Sequence, residues 1–468
     1  MNTSASFRTG SEIDGFVLGQ KIHVGAMALI YRLTGPKGLL PLVMKIPRLG
    51  PGEAAANVIC FEVERMVLGA IFSRHVPTLV AMGDVETTPY LVMEYVQGPL
   101  LSEWLSRAPV PPGEIVRLGS ALALALHDLH RRDVVHLDVK PANVLYRATG
   151  EAVLIDFGLA HHAHFPDLLA EEFRFPVGNW PYMSPEQVLG VRCDPRSDIY
   201  ALGVILYELS TGRLPFGTPT SMSGLRKRLH REPVPPSAIV SSTPEWLQEI
   251  IFHCLEVDAR ERYASATDVA FELSHHEQVA ITERGTRRRT RGWGTRFRRW
   301  VRAAGFEPAP CPPPSTQAAV APIVLVAVAT SHNDPALFDA LRGAVRRRLA
   351  ADDQCRIACV SVIPPEPALG AERFEDSATS LHIKHLVELR HWAKPLQLPE
   401  ERVTYHVIES DKPAGALIDY AKFNDVDQIF IGATPGRADA RPALGRVASK
   451  VVAEAPCSVT VVRPPPPN

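Results

Sequence analysis

The residues best suited to chemistry lie in one short stretch, Val135–Leu145 (VHLDVKPANVL), and in Leu154–Gly158 (LIDFG) just beyond it. Asp138, Lys140 and Asn143 place a carboxylate, a cation and an amide oxygen within six residues. Asp156 adds a second hard oxygen donor of the kind magnesium prefers. Transfer of a terminal phosphoryl group needs that set: a carboxylate to take the acceptor hydroxyl's proton, cations to neutralise phosphate, and ligands for a divalent metal. Singly, each residue has a plainer reading, as a solvated loop Asp or Lys or a structural His136. Their joint order and spacing argue against it.

These residues must be positioned by a folded chain, and the composition supplies one. The sequence has 468 residues, enough for about three domains or two larger ones. Its 46% hydrophobic and 22% charged residues exclude wholesale disorder. Fifty basic residues against 51 acidic leave a net charge of −1, which removes any global electrostatic case for nucleic acid or an acidic substrate. The 42 prolines, about 9% against a usual ~5%, call for linkers or tails. Seven cysteines, odd in number and without a CxxC pair, read as buried reduced thiols. The polar first residues do not resemble a secretory signal, and no apolar run approaches the ~20 residues of a membrane helix. A soluble cytoplasmic protein is expected.

Three zones follow along the chain. From Phe16 to about Ser274, short β-branched runs alternate with amphipathic segments such as Gly113–Leu129, whose apolar residues recur at helical spacing. Residues 284–302 then carry nine arginines and no acid, followed by EPAPCPPP, which cannot bury a core and reads as a linker. Trp293, Phe297 and Trp300 among those cations leave contact with an anionic surface as an alternative to a plain spacer. From Ile323 to Val462, apolar strands alternate with helical patterns, which predicts βαβ units and a parallel sheet.

With its intact D-F-G and its H-L-D-x-K-P-x-x-N, the first zone resembles the eukaryotic-like protein kinases. The resemblance implies ATP and Mg2+ as cofactors. It assigns Asp138 and Lys140 to catalysis and Asn143 and Asp156 to the metal. Lys45 in LVMK matches the strand lysine that binds the phosphates, and Glu64 the helix glutamate that pairs with it, Glu62 being the alternative. Met93–Val96 sits where the family's hinge meets adenine, so Glu94 and Val96 join the cofactor residues. Ile22, Ile30, Val43 and Leu145 would form the apolar sandwich. Glu186, Arg262 and Asp198 match structural members of the family pattern, and Lys140 follows its serine/threonine form.

Three departures bear on function. Only Gly25 remains of the glycine-rich loop, with His23 and Ala28 at the outer glycines, so weaker ATP binding or slower turnover is expected. Leu137 replaces the arginine that would receive an activation-segment phosphate, and residues 159–181 contain no Ser, Thr or Tyr. A segment ordered without phosphate is therefore expected, through Leu168, Leu169 and Phe173 packing inward or through docking of the second domain. Asn179 stands where the family usually has threonine bonding the catalytic aspartate and lysine, and its side-chain amide is expected to supply similar bonds.

The third zone resembles universal stress proteins in its closing QIFIGATPGRADARPALGRVASKVVAEAPCSVTVV, which implies a flavodoxin-like parallel sheet and a candidate homodimer through the last strand. Gly432, Gly436 and Gly445 match the family's glycines in outline. Arg446 stands in place of a phosphate-bonding hydroxyl, and Ala329 in place of an aspartate. A regulatory or dimerising module without nucleotide is favoured over a nucleotide site.

The expected architecture is an α+β bilobal protein-kinase fold over 16–280, preceded by a disordered 1–15, and then an Arg-rich and Pro-rich linker over 281–321. An α/β flavodoxin-like domain over 322–464 and a tail over 465–468 complete it. The expected activity is serine/threonine phosphorylation of protein substrates, with no specific nucleic acid partner. A pseudokinase scaffold is the competing reading, favoured by His23, Ala28 and Leu137 and opposed by Lys45, Glu64, Asp138, Asn143 and Asp156. A small-molecule kinase is a third, opposed by the peptide-positioning look of GNWPYMSPEQ.

Overall fold

The computed structural model describes residues 7–25, 27–34, 40–48, 56–83, 88–165, 167–172, 176–289, 306–308, 322–330, 334–352, 355–364, 374–398, 402–424, 426–433 and 445–464. Phe173 and Gly436, both singled out from the sequence, lie outside these residues, as does most of 290–321.

The first lobe is an antiparallel sheet of β1 (Glu12–Ile13), β2 (Phe16–Val24), β3 (Ala28–Thr34), β4 (Leu42–Pro47), β5 (Leu79–Met82) and β6 (Leu91–Glu94), in the order β1-β2-β3-β4-β6-β5. Helix α1 (Ala56–Ala70) packs against it. Register fixes the site: Lys45 on β4 lies opposite Ile30 on β3 and Leu91 on β6.

The second lobe is helical, because its long segments carry apolar residues at i, i+3 and i+4. In α2 (Pro112–His130) the buried Ile115, Leu118, Leu122, Leu126 and Leu129 make one stripe, and Pro112 begins the helix where its missing N–H costs nothing. This stripe meets α4 (Arg196–Thr211), where Leu202, Ile205, Leu206 and Leu209 are fully buried, each contributing roughly 1.5–3 kcal/mol. The two helices approach closely at Gly119, where a Cβ would stand 2.7 Å from the Leu206 side chain. Gly212, with φ +68°, ends α4 in the left-handed region. Helices α5 (Glu245–Cys254) and α6 (Ala266–Ser274) complete this core. A short helix, α3 (Leu168–Glu172), lies in the segment between the lobes. The pairs β7 (Val134–Val135) with β10 (His161–His162) and β8 (Val144–Tyr146) with β9 (Ala152–Leu154) carry the loops between them.

The basic run starts within this lobe. Glu283–Thr286 forms a helical turn against α5, where Arg284 pairs with Glu256 at 3.0 Å and Glu249 at 3.3 Å, and Arg287 pairs with Glu232 at 3.1 Å.

The C-terminal domain is a parallel sheet of β11 (Ile323–Ala327), β12 (Arg356–Ile363), β13 (Val403–Glu409), β14 (Gln428–Gly432) and β15 (Ser458–Val462), in the order β13-β12-β11-β14-β15. Helices α7 (Pro335–Ala351) and α8 (Phe374–Ala393) cover one face, and α9 (Pro413–Phe423) and α10 (Arg446–Glu454) the other, each with its own core. Covered faces explain why the strands read as continuous apolar runs. The expected combination of a bilobal α+β fold and an α/β flavodoxin-like domain is present. Gly432 is needed for packing, since a Cβ would meet Leu337 of α7 at 2.8 Å.

Among the described residues, Cys60, Cys254, Cys355, Cys359 and Cys457 are free thiols, all but Cys457 buried. The expectation of buried reduced thiols holds for four of these five. Among the described residues, no helix is long and apolar enough to cross a membrane.

Candidate active site

Lys45 is the junction of the site. Its Nζ donates to Glu64 Oε2 at 2.5 Å and to Asp156 Oδ1 at 2.8 Å, joining β4, α1 and the loop after β9. Burial alone would lower the lysine's pKa, but the Asp156 and Glu64 carboxylates outweigh it and raise the group above its ordinary value. Lys45 therefore stays cationic at neutral pH. Lys45 in turn holds Asp156 down at about 2. Burial pushes Glu64 up against the pull of Lys45, so the glutamate depends on that ammonium to stay ionised. Glu64, not Glu62, is the partner of the strand lysine.

The second cluster sits on the loop between β7 and β8. Asp138 is buried, and its Oδ2 accepts from Lys140 Nζ at 2.6 Å and from Asn143 Nδ2 at 2.9 Å. Its Oδ1 accepts the backbone N–H of Asn179 at 3.3 Å. This last bond corrects the expectation for Asn179, whose main chain rather than side chain reaches the aspartate. The two clusters share a wall, because the Ile155 N–H donates to the Asn143 carbonyl at 3.0 Å.

The backbone under Asp138 is held from below. Asp198 accepts the N–H groups of His136 and Leu137, each at 2.9 Å, and contacts His130 Nε2 at 2.9 Å. Leu137 has φ +61° and Asp156 φ +66°, left-handed conformations that a side chain resists unless surrounding bonds impose them. The Leu137 carbonyl is pinned by Gln187 Nε2 at 2.9 Å. Phe157 is fully buried, with its ring centroid 4.9 Å from that of His136.

The donor set fits a magnesium–nucleotide pair. Asn143 Oδ1 and Asp156 Oδ2 have no hydrogen-bond partner among the described residues, leaving an amide and a carboxylate oxygen for a hard cation. The Val96 N–H likewise has no partner among the described residues, as an adenine-binding hinge requires, while Glu94 is held by Arg147 through Nη2 at 2.9 Å and a second contact from Nη1. Of the apolar sandwich, Val43 is buried, Ile30 packs against the main core, and Leu145 bridges to Leu100. Ile22 is exposed on β2. Gly25 starts the β2–β3 turn, its N–H donating to the Ala28 carbonyl at 2.9 Å.

Some contributors were not legible in the sequence. Arg192 donates from Nε to Asp167 Oδ2 at 2.8 Å and from Nη2 to the Leu159 carbonyl at 2.9 Å, tying the first part of the activation segment to the chain beyond it. Leu168 and Leu169 are buried in the main core, as expected. Arg228, in the basic run RKRLHR, is buried and donates to the carbonyls of Trp180 at 2.6 Å and Leu225 at 3.0 Å, and also to that of Met183. It thereby shapes the loop GNWPYMSPEQ.

In the C-terminal domain, Ala329 and Arg446 are exposed and Gly445 faces open space, while 434–444 lies outside the described residues. Among the described residues no group of three His, Cys, Asp or Glu side chains is placed to hold a metal.

Residues 19–277 match the family described as protein kinase domain, and residues 323–463 the universal stress protein family. Serine/threonine-protein kinase Pkn1 of Myxococcus xanthus is 36% identical over 235 residues, which is 48% of this chain and 33% of that protein. Serine/threonine-protein kinase PknL of Mycobacterium bovis is 29% identical over 270 residues, covering 57% of this chain and 67% of that one. The solved kinase domain of Mycobacterium tuberculosis PknI is 22% identical, with a TM-score of 0.45, and covers 58% of this chain and 99% of that one. The chain thus spans about one third of Pkn1 and two thirds of PknL. With the match covering residues 19–277, more than half its length, the chain belongs to the protein kinase domain family and carries a universal stress protein domain after it.

Proposed function

We propose that this chain is an ATP- and magnesium-dependent kinase that phosphorylates serine and threonine hydroxyls of protein substrates, and that it does so without phosphate on its activation segment. The observation that carries the reading is the convergence of Lys45, Glu64 and Asp156 with Asp138, Lys140 and Asn143 around one cleft. Asp138 accepts the acceptor hydroxyl's proton, Lys140 and Lys45 face the phosphates, and Asn143 and Asp156 offer oxygens to the metal. Bound magnesium neutralises charge on the transferring group. The pseudokinase reading loses ground because none of these groups is missing or turned away.

Independence from phosphate is supported by the hydroxyls nearest the segment. Tyr182 donates its OH to Glu208 Oε2 at 2.7 Å, and Ser184 is fully buried, capping the helix Pro185–Val188 and donating to Ser197 at 3.0 Å. Asp167 and Arg192 supply an acid–base pair that holds the segment by charge without a phosphate. Arg192→Ala should lower kcat/KM about tenfold while leaving the melting temperature within a few degrees, because it releases the segment and not the core; steady-state kinetics beside calorimetry checks it.

The activity test is transfer of labelled phosphate from magnesium-ATP to a generic basic protein, followed by phosphoamino-acid analysis. Phosphoserine or phosphothreonine above a Lys45→Met control is the expected result. Equal signal from both proteins would end the enzyme reading. The edge position of β15 supports the further expectation that two copies pair through the C-terminal domain. The anionic-surface role of 284–302 gains nothing from Arg284 and Arg287, which are engaged with glutamates.

A further inference from the structure

Helix α1 is covered on every side. Residues 57–64 are all buried, and eight consecutive residues span more than two turns, so no face remains open there. The sheet and cleft cover only part of this circumference. Glu64 points to Lys45, and Cys60 lies against Gly158, where a Cβ on the glycine would stand 3.2 Å away. Glu62 lies two residues earlier, about 200° around the helix from Glu64, and points elsewhere.

The C-terminal domain covers that other side. Val58 belongs to the same apolar cluster as Leu386, Leu389 and Trp392 of α8 and Val403 of β13. Glu62 Oε2 accepts from Arg390 Nη2 of α8 at 2.6 Å, a pair with 10% and 13% side-chain exposure, and from Arg65 Nε at 3.1 Å. Arg390 also lies over the Tyr405 ring of β13, 5.4 Å from its centroid. Leu168, on α3 of the activation segment, lines the cavity at this junction beside Met66 and Leu386. One joint therefore gathers the helix that carries Glu64, the segment that lacks a phosphate site, and the second domain.

We propose that the universal stress protein domain is the element that fixes α1 for ATP, with Arg390 as a positioning residue: by holding Glu62 it seats Glu64 on Lys45. The proposal rests on the kinase reading for its consequence but not for its contact. A mostly buried ion pair resists separation, because removing one partner leaves the other charged in a desolvated place. The rigid helix then transmits the constraint over two residues to Glu64. Anything that loosens the joint, a ligand or partner of the second domain included, would weaken nucleotide binding without touching the cleft.

The test uses the full chain and two measurements that require no turnover: hydrogen exchange of the amides of 56–70 and equilibrium affinity for magnesium-ATP. Arg390→Glu should speed exchange in α1 and weaken ATP binding, each about tenfold, within the usual range of coupling between sites, while exchange in α4 stays unchanged. Combining Glu62→Lys with Arg390→Glu should restore both, since the carboxylate now carried by α8 would again face cations on α1, Arg65 among them. Unchanged exchange in α1 for Arg390→Glu would overturn the contact, and faster exchange with unchanged ATP affinity would overturn the positioning role. Loss of both without recovery in the charge-swapped double variant would show general damage and also count against it. Failure of phosphate transfer by the wild-type chain would sink the proposed activity and leave these readouts intact.

Discussion

Asp138→Asn should reduce kcat by about 10²–10⁴-fold, the usual contribution of a positioned general base, with a much smaller change in KM for ATP. The carboxylate accepts from Lys140, Asn143 and the Asn179 N–H. An amide at this position has one acceptor oxygen in place of two, so it cannot satisfy all three donors, and it cannot take up the hydroxyl proton. The cost in stability should stay within about 1–2 kcal/mol, because Asn143 Nδ2 keeps its bond to the Asp138 carbonyl at 3.0 Å and the partly exposed Lys140 ammonium can turn to water. Steady-state kinetics with a protein acceptor, beside thermal melting, separates the two effects. A fall in kcat below tenfold would remove Asp138 from the chemistry.

Arg262→Ala should be the most damaging change to the fold. Its guanidinium is fully buried and donates to both Glu186 oxygens, at 2.6 and 2.7 Å, and to the carbonyls of Arg196, Glu256 and Val257 at 2.8, 2.8 and 3.1 Å. Breaking such a pair from one side costs about 3–5 kcal/mol, a large part of the ~5–15 kcal/mol that holds a domain together. The pH dependence should also change sign. Burial pushes the Glu186 carboxyl up, but Arg262 outweighs it and holds the group below its ordinary value. A group depressed in the folded state contributes stability above the ordinary carboxylate pKa and loses it as pH falls through the folded value. In Arg262→Ala burial is left unopposed by the guanidinium, so Glu186 rises and acidification should favour the folded variant. Adding Glu186→Gln should recover part of the loss, since no buried charge then remains. Denaturant midpoints at several pH values check all three points, and a loss below about 1 kcal/mol would refute the buried-pair argument.

What the sequence disclosed and what it concealed divide along physical lines. Asp138, Lys140, Asn143 and Asp156 were legible because phosphoryl transfer demands particular side chains at short, fixed spacing on loops. Apolar alternation was enough to predict the parallel sheet, since strands buried on both faces must be apolar. Leu137 was read as a lost phosphate receiver; that it sits at φ +61°, with its N–H and that of His136 both bonded to Asp198, required the fold. Asp167 with Arg192 was missed because an acid and a base 25 residues apart look like two solvated charges. Glu62 with Arg390, 328 residues apart, leaves no local trace at all. Gly432, matched from the sequence only in outline to a glycine of the stress-protein pattern, is required by the Leu337 side chain above it. Asn179 was expected to act through its side-chain amide, but it is its main-chain N–H that donates to Asp138.

The claim on which the rest depends is that the cleft is assembled for transfer in the unphosphorylated chain. The most direct measurement is a single-turnover assay with magnesium-ATP and a protein acceptor on phosphatase-treated full chain, its intact mass confirming that no phosphate remains. Transfer from the first turnover, without a lag, is the expected result. Transfer only after phosphate appears on Tyr182 or Ser184, or no transfer at all, would contradict it.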